Sequence, residues 1–172
     1  SWICYFEEKY SEGIDACFAG QDLNPSSLDN NWLFVLHYVK LGEGEKAARA
    51  LQSIFNQYPA TRPFADEILD AYNKSGIEGI FRWLIDLNIN NPIPLEGLSG
   101  HPYYIAWWYA ILGDSEESIQ WFERTIEAET IPRAYFDLIA NNPDFDLLRD
   151  DPRFLAVIEK AGLAPYHKRK AR

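Results

Sequence analysis

Apolar residues recur at intervals of three and four positions along most of the chain, with polar residues between them. This spacing places the apolar side chains on one face of an α-helix and predicts a protein made of amphipathic helices. The stretch from Tyr109 to Glu127 shows this pattern together with residues that end one helix and begin the next. Gly113 ends one helix in the left-handed conformation, Asp114 caps the next helix, and Glu117 completes a capping box.

The same arrangement, in which a glycine separates two expected helices, occurs three times. A tyrosine precedes a glycine by four positions in Tyr38–Gly42, Tyr72–Gly76 and Tyr109–Gly113. The second tyrosine follows the first by 34 residues, and the third follows the second by 37. Prolines close helical stretches at a similar interval, at Pro25, Pro59 and Pro92. A period near 34 residues built from helical pairs is typical of a helical-repeat solenoid.

These glycines and prolines divide the chain into expected helical hairpins. We expect repeats at about residues 1–25, 26–59, 60–92 and 101–131, a cap at 132–163 and a basic flexible tail at 166–172. Ser26 or Ser27 caps the second repeat, Pro63 opens the third, and Asp151 caps the last helix. The prolines and glycines between Asn88 and Gly100 predict a loop and a kink between the two halves of the chain.

These features resemble the tetratricopeptide repeat. The tyrosine before the turn, the closing proline and a small residue early in the second helix, such as Ala47, match its consensus. The consensus tryptophan and the Leu-Gly pair of the first helix are absent. Residues 2–23 resemble the second helix of a repeat whose first helix is mostly missing. The resemblance implies an all-α, right-handed α–α superhelix with a C-terminal capping helix, a fold that presents binding surfaces and rarely performs chemistry.

A second resemblance lies in residues 143–154, with the sequence PDFDLLRDDPRF. This segment is similar to the closing part of the helical-repeat tails of bacterial winged-helix activators, adenylate cyclases and serine/threonine kinases. In those proteins the repeats serve as sensory or assembly modules beside a catalytic or DNA-binding domain. The chain also contains no methionine and opens at Ser1 within an expected helix. We therefore expect a piece of a larger bacterial regulatory or signalling protein.

Composition narrows the function classes. The 172 residues carry 26 acidic and 16 basic side chains, for a formal net charge of −10. An acidic body lacks the basic face that sequence-independent nucleic-acid binding needs. Cys4 and Cys17 are too few for a disulfide framework and fit reduced thiols in the cytoplasm. No apolar run reaches the roughly 20 residues of a membrane helix. We expect no cofactor, no metal and no membrane or nucleic-acid contact.

The resemblance to the tetratricopeptide family implies that the first helix of each pair lines a concave groove. Its groove-facing positions fall on Trp32, Leu36, Lys40, Asp66, Asp70, Asn73, Tyr103, Trp107 and Ile111. Asp66 and Asp70 lie one turn apart on one helix, where two like charges repel. A Lys or Arg beside an apolar side chain on a partner segment would relieve that repulsion. The expected function is a non-catalytic scaffold that binds a protein or peptide, with homodimerisation left open.

Two other interpretations of these residues remain open. Trp32 and Trp107 are equally compatible with packing in the core, and the aspartates with a solvated helix face. The aromatic run from Tyr103 to Tyr109 has enough rings to enclose a flat apolar ligand or a quaternary amine. A small-molecule-sensing domain of a transcription regulator or cyclase is therefore the second hypothesis.

Catalysis is disfavoured by the arrangement of the candidate groups. Asp66, Glu67 and Asp70 follow one helix, whereas glycoside hydrolysis needs two carboxyl groups that face each other across a cleft. His37 lies within an apolar stretch and is expected to be a packed, hydrogen-bonded core residue, and the three histidines lack metal-ligand spacing. No phosphate-binding loop or nucleophile-elbow motif occurs. We expect a protein that is not an enzyme.

Overall fold

The computed structural model describes residues 1–91, 101–127, 139, 141–160 and 162. Every regular element in these ranges is helical and none is a strand, which confirms the all-α class. The α-helices are α1 (Trp2–Phe6), α2 (Tyr10–Leu23), α3 (Leu28–Lys40), α4 (Gly44–Gln57), α5 (Ala65–Asn90), α6 (Pro102–Ile111), α7 (Ser115–Glu127) and α8 (Pro152–Lys160). Two 3-10 helices span Arg62–Phe64 and Pro143–Leu148.

The chain divides into two compact units, Ser1–Ser99 and Gly100–Arg172. The first unit contains α1 to α5, in which each helix packs against the next. In the second unit α6 packs against α7, and both contact the 3-10 helix at Pro143–Leu148, while α8 packs on α7. Within the described ranges, no helix is both long enough and apolar enough to cross a membrane.

The turn between α3 and α4 shows why a tyrosine and a glycine recur four positions apart. Gly42 adopts a φ of +73°, the left-handed conformation that glycine accepts without a steric penalty. The Gly42 amide donates to the Val39 carbonyl at 3.1 Å, and the Glu43 amide donates to the Tyr38 carbonyl at 2.9 Å. These are the two bonds of a Schellman motif, which satisfies the last carbonyls of a helix. The chain then reverses into α4.

The turn between α6 and α7 repeats this geometry. Gly113 has a φ of +78°, and the Asp114 amide donates to the Tyr109 carbonyl at 2.9 Å. The Asp114 carboxylate then accepts from the Glu117 amide at 3.2 Å, which confirms the predicted cap of α7. Two of the three tyrosine–glycine corners are therefore the same structure, although they lie in different compact units.

The third corner differs from the other two. Gly76 combines a φ of +62° with a ψ of −146°, a region that is essentially restricted to glycine, and Ser75 before it is also non-helical. These two residues interrupt α5 and divide it into a first arm, residues 65–74, and a second arm, residues 77–90. The glycine was predicted to end a helix, and it does so in a backbone conformation that differs from the Schellman corners at Gly42 and Gly113.

The predicted helix starts are largely confirmed by their caps. The Ser27 hydroxyl accepts from the Asn30 amide at 3.3 Å, so Ser27, not Ser26, caps α3. Asp151 accepts from the Arg153 amide at 2.8 Å at the start of α8. Pro63 was predicted to open the helix of the third repeat. It lies instead in the 3-10 helix Arg62–Phe64, which directly precedes α5.

Two predicted boundaries were wrong. Residues 2–23 form two helices instead of one, because Glu8 takes a φ of +60° between α1 and α2. The loop predicted from Asn88 begins later, because α5 continues to Asn90, whose side chain donates to Asp86 one turn earlier at 2.8 Å. The rest of that predicted loop, most of the helix predicted at 132–140 and the basic tail lie outside the described residues.

The apolar side chains of α4 form one stripe that faces the core of the first unit. Leu51, Ile54 and Phe55 are buried, and burial of each such side chain contributes about 1.5–3 kcal/mol. Ala47 and Ala48 are fully buried as well, and their small size lets neighbouring helices approach closely. The core of the second unit is rich in aromatic side chains, among them Tyr103, Trp107, Trp108, Phe122, Phe145 and Phe154.

His37 on α3 belongs to the core of the first unit. Its ring is fully buried, with the Tyr5 ring 5.5 Å away and the Tyr10 ring 6.1 Å away. Gly13 of α2 is essential to this packing, because a Cβ atom there would lie 2.1 Å from the imidazole. Burial, and secondarily the positive charge of the N-terminal ammonium group, lower the pKa of His37 to about 4.

We predict that His37 makes the first unit sensitive to acid. The unfolded chain binds a proton at His37 below about pH 6.5, whereas the folded chain resists protonation until about pH 4, so stability is lost as the pH falls through this window. The free energy of unfolding should drop by about 2 kcal/mol between pH 8 and pH 5 from this group alone. Urea denaturation of the wild type and His37→Phe at both pH values isolates the effect. Equal losses in both proteins would contradict the prediction.

Candidate functional site

The predicted groove residues separate into buried and exposed groups. Trp32, Leu36, Tyr103 and Trp107 are buried, and Lys40 and Ile111 are half-buried. The exposed members are Asp66, Asp70 and Asn73, which share the first arm of α5. The aromatic members of the predicted groove, Trp32, Tyr103 and Trp107, are therefore core residues. The acidic part of the predicted site remains on the surface.

Trp107 illustrates why an aromatic position in the first helix of a pair need not face a groove. Its indole nitrogen donates to the carboxylate of Asp144 at 2.6 Å, and both side chains are buried. Its ring centre lies 6.0 Å from that of Tyr103 and 6.5 Å from that of Phe145. The tryptophan thus links the 3-10 helix Pro143–Leu148 to α6 and is a structural residue of the second unit.

The PDFDLLRDDPRF segment is explained by the same packing. Asn142 accepts from the Asp144 amide at 2.9 Å and so caps the 3-10 helix. The buried Arg149 side chain donates to Asp146 at 2.7 Å and to the Asn142 carbonyl at 3.0 Å. Phe145 is fully buried within the aromatic core. These residue types are therefore needed to fold a compact closing segment onto α6 and α7.

The aromatic run considered for a small-molecule sensor is also largely internal. Tyr103, Tyr104, Trp107 and Trp108 are all buried, and only Tyr109 at the end of the run is partly exposed. Their neighbours are other rings, as in the contact of Tyr103 with Phe122 at 6.1 Å. The rings thus form the inner face of α6.

The exposed acidic residues lie beside a cleft between the two arms of α5. Asp70 lines the cleft together with Glu67 from its own arm and Glu78 from the second arm, and the cavity has a volume of about 570 Å³. Asp66 points away toward α4, where it accepts from Gln52 at 3.2 Å. The structure therefore separates the two predicted aspartates and joins Asp70 to two carboxylates that the groove prediction did not include.

The floor of this cleft is formed by the close approach of the two arms. A Cβ atom on Gly79 would lie 2.2 Å from the carbonyl oxygen of Ala71, so only glycine fits at that position. Trp83, on the second arm, is half-buried, and its indole nitrogen donates to Glu67 at 3.0 Å. This bond holds an aromatic face and a carboxylate side by side at the surface.

The charges of the cleft are mixed but favour cations. Three carboxylates line it, from Glu67, Asp70 and Glu78, against the two basic groups of Lys74 and Arg82. Arg82 forms an exposed pair with Glu78 at 2.7 Å, so one more carboxylate than basic groups remains in the lining. An ammonium or guanidinium group that entered the cleft would therefore meet Glu67 and Asp70 beside the Trp83 ring. Carboxylates and an indole face are the groups that bind such cations in proteins.

The sequence contains no clear signal for this site. Trp83 lies within the apolar pattern of the second arm, which predicts a core residue. Glu78 lies at a polar position of the same pattern, which predicts a solvated side chain. Their proximity to Glu67 depends on the backbone conformation at Gly76. The remaining cue is the unusual glycine pair formed by Gly76 and Gly79 within an otherwise helical pattern.

Metal-binding geometry is not present in the part of the chain that the structure describes, since no three histidine, cysteine or acidic side chains there cluster closely enough to hold an ion. Cys4 and Cys17 are both free thiols.

Comparison with known proteins found no family model, no curated protein and no solved structure that matches the chain.

We predict that the bond between Trp107 and Asp144 is among the strongest individual contributions to the second unit. Trp107→Phe removes the donor and leaves a buried carboxylate oxygen without it, which should cost about 1–3 kcal/mol beyond the lost ring area. Trp121→Phe is the matched control, because Trp121 is half-buried on α7 with Arg124 stacked 4.3 Å above its ring. Urea denaturation should show a clearly larger loss at Trp107. Equal losses would show that the bond contributes nothing specific.

Proposed function

We propose that this chain is a non-catalytic protein-interaction module built from helical hairpins, with the superhelical arrangement of a tetratricopeptide-like repeat. The observation that carries the proposal is the recurrence of one Schellman corner at Gly42 and Gly113, with the same bonds from the same spacing of residues. Repetition of a hairpin unit is the hallmark of solenoid proteins, in which neighbouring units bury one another and leave an extended surface for partners.

We further propose that the cleft between the arms of α5 is the partner-binding surface. Its occupant is a peptide segment with a Lys or Arg side chain next to an apolar one. The cation would contact Glu67 and Asp70, and the apolar neighbour would lie against Trp83 and the floor near Ala71. A volume of about 570 Å³ is in the range of sites that accept a few side chains.

Several features favour binding over chemistry in this cleft. Its lining contains neither histidine nor cysteine, the residues that most often serve as general base and nucleophile. The resemblance of residues 143–154 to bacterial regulators supports a role in a larger cytoplasmic regulatory or signalling protein, in which this module recruits a partner or another domain.

A peptide titration followed by NMR tests the cleft. The probe is acetyl-Gly-Leu-Arg-Leu-Gly-amide, and the readout is the indole N–H signal of Trp83, assigned with Trp83→Phe. We expect this signal to move with the Arg peptide and to stay in place with the matched Gln peptide. Asp70→Asn should weaken binding about fivefold, the equivalent of roughly 1 kcal/mol.

The control variant is Asp22→Asn, the same change at an exposed position of α2 outside the cleft. It should bind the Arg peptide as the wild type does. The proposed site is wrong if the Trp83 signal is unmoved by the Arg peptide, if the Gln peptide binds equally well, or if Asp70→Asn has no effect.

A further inference from the structure

A second recess lies in the first unit, on a surface built by α2, α3 and α4. Its volume is about 330 Å³, and apolar atoms make up most of its lining. None of the residues that line it is acidic, although the chain as a whole carries a net charge of −10. The lining of the recess thus contains two basic side chains and no carboxylate, whereas the cleft in α5 is lined by three carboxylates and two basic groups.

Three aromatic rings form its wall. Phe18 of α2 is 52% exposed, which is unusual for a phenylalanine, and its ring lies edge-on to that of Phe34 at 4.9 Å. Phe34 in turn stacks with Tyr38, one helical turn later, at 6.1 Å. A partner's aromatic side chain can extend this series by packing against the exposed face of Phe18.

Two cations stand at the rim. The Lys46 ammonium lies 5.5 Å from the centre of the Tyr38 ring, and Arg49 follows one turn later on α4. Each forms an ion pair on its own helix, Lys46 with Glu43 and Arg49 with Glu45. Both pairs are exposed to solvent, and exposed pairs contribute little. A carboxylate from a partner can therefore compete for these cations, with Arg49 able to bind it through two parallel hydrogen bonds.

The floor of the recess has one fixed polar group. Asn31 is 5% exposed, and its amide nitrogen donates to the Pro25 carbonyl at 3.3 Å, which holds the side chain in place. A recess with an aromatic wall, a cationic rim and a single oriented amide has the composition of a specific site, in which apolar area supplies affinity and a few polar groups set orientation.

We propose that this recess binds an acidic peptide segment in which Asp or Glu residues flank an aromatic side chain. The ring packs against Phe18 and Phe34, and the carboxylates pair with Lys46 and Arg49. The recess lies on other helices than the cleft of α5 and selects the opposite charge, so the inference holds or fails independently of the proposed function.

The test uses three peptides of equal length, acetyl-Gly-Asp-Phe-Asp-Gly-amide and its Asn-Phe-Asn and Lys-Phe-Lys counterparts. Binding is followed by NMR through the Arg49 Nε–H and Asn31 side-chain amide signals. We expect these signals to move with the Asp peptide and to stay in place with the Lys peptide. The Asn peptide should bind with an affinity at least fivefold lower than that of the Asp peptide. Amidated ends exclude recognition of a terminal carboxylate.

Two variants and a matched control complete the test. Arg49→Gln should weaken binding of the Asp peptide about fivefold or more, and Phe18→Ala, an exposed position, should abolish it. Lys9→Gln is the control, because Lys9 is also exposed and also pairs with a glutamate, Glu7 at 2.8 Å, but lies outside the recess. The proposal is overturned if the Asp peptide moves neither signal at millimolar concentration, if the Asn peptide binds equally, or if Arg49→Gln and Lys9→Gln behave alike.

Discussion

The structure depends on one backbone constraint, namely that a helix which reverses direction must satisfy its last carbonyl groups. At Gly42 and Gly113 a glycine in the left-handed conformation meets this requirement with the same pair of hydrogen bonds. The following helix then runs back along its predecessor, and small residues let the two approach. Ala47 is fully buried after the first corner, and Ser118 after the second donates to the Ala106 carbonyl at 2.8 Å. Burial of the apolar stripes follows from this geometry.

The sequence predicts features that depend on neighbours a few positions away. The caps at Ser27, Asp114 and Asp151 could be predicted because a capping side chain and its amide partner lie two or three residues apart. The sequence left the position of Trp107 open between core and groove, since its partner Asp144 lies 37 positions later. The cleft was missed because its walls meet only through the backbone angles of Gly76, which the residue type permits but does not dictate.

The cleft of α5 and the recess of the first unit both follow from how helices are paired. The cleft exists because the interruption of α5 brings two arms of one helix together, with Trp83 and Glu67 fixed across it by a hydrogen bond. The recess exists because α2 and α4 flank α3 and leave Phe18 partly uncovered. The cleft is lined by three carboxylates and two basic groups, whereas the recess is lined by two basic groups and no carboxylate, and this difference is the basis of the two binding proposals.

The most direct test of this account is amide hydrogen exchange at Glu43 and Asp114, the residues that follow the two corner glycines. Both amides lie at helix junctions near the surface, where they would exchange rapidly unless bonded to Tyr38 and Tyr109. The account predicts strong protection at both positions, to the same extent as amides within α4 and α7. Exchange at the rate of an unstructured peptide at either position would show that the repeated corner does not form and would remove the basis of the helical-repeat assignment.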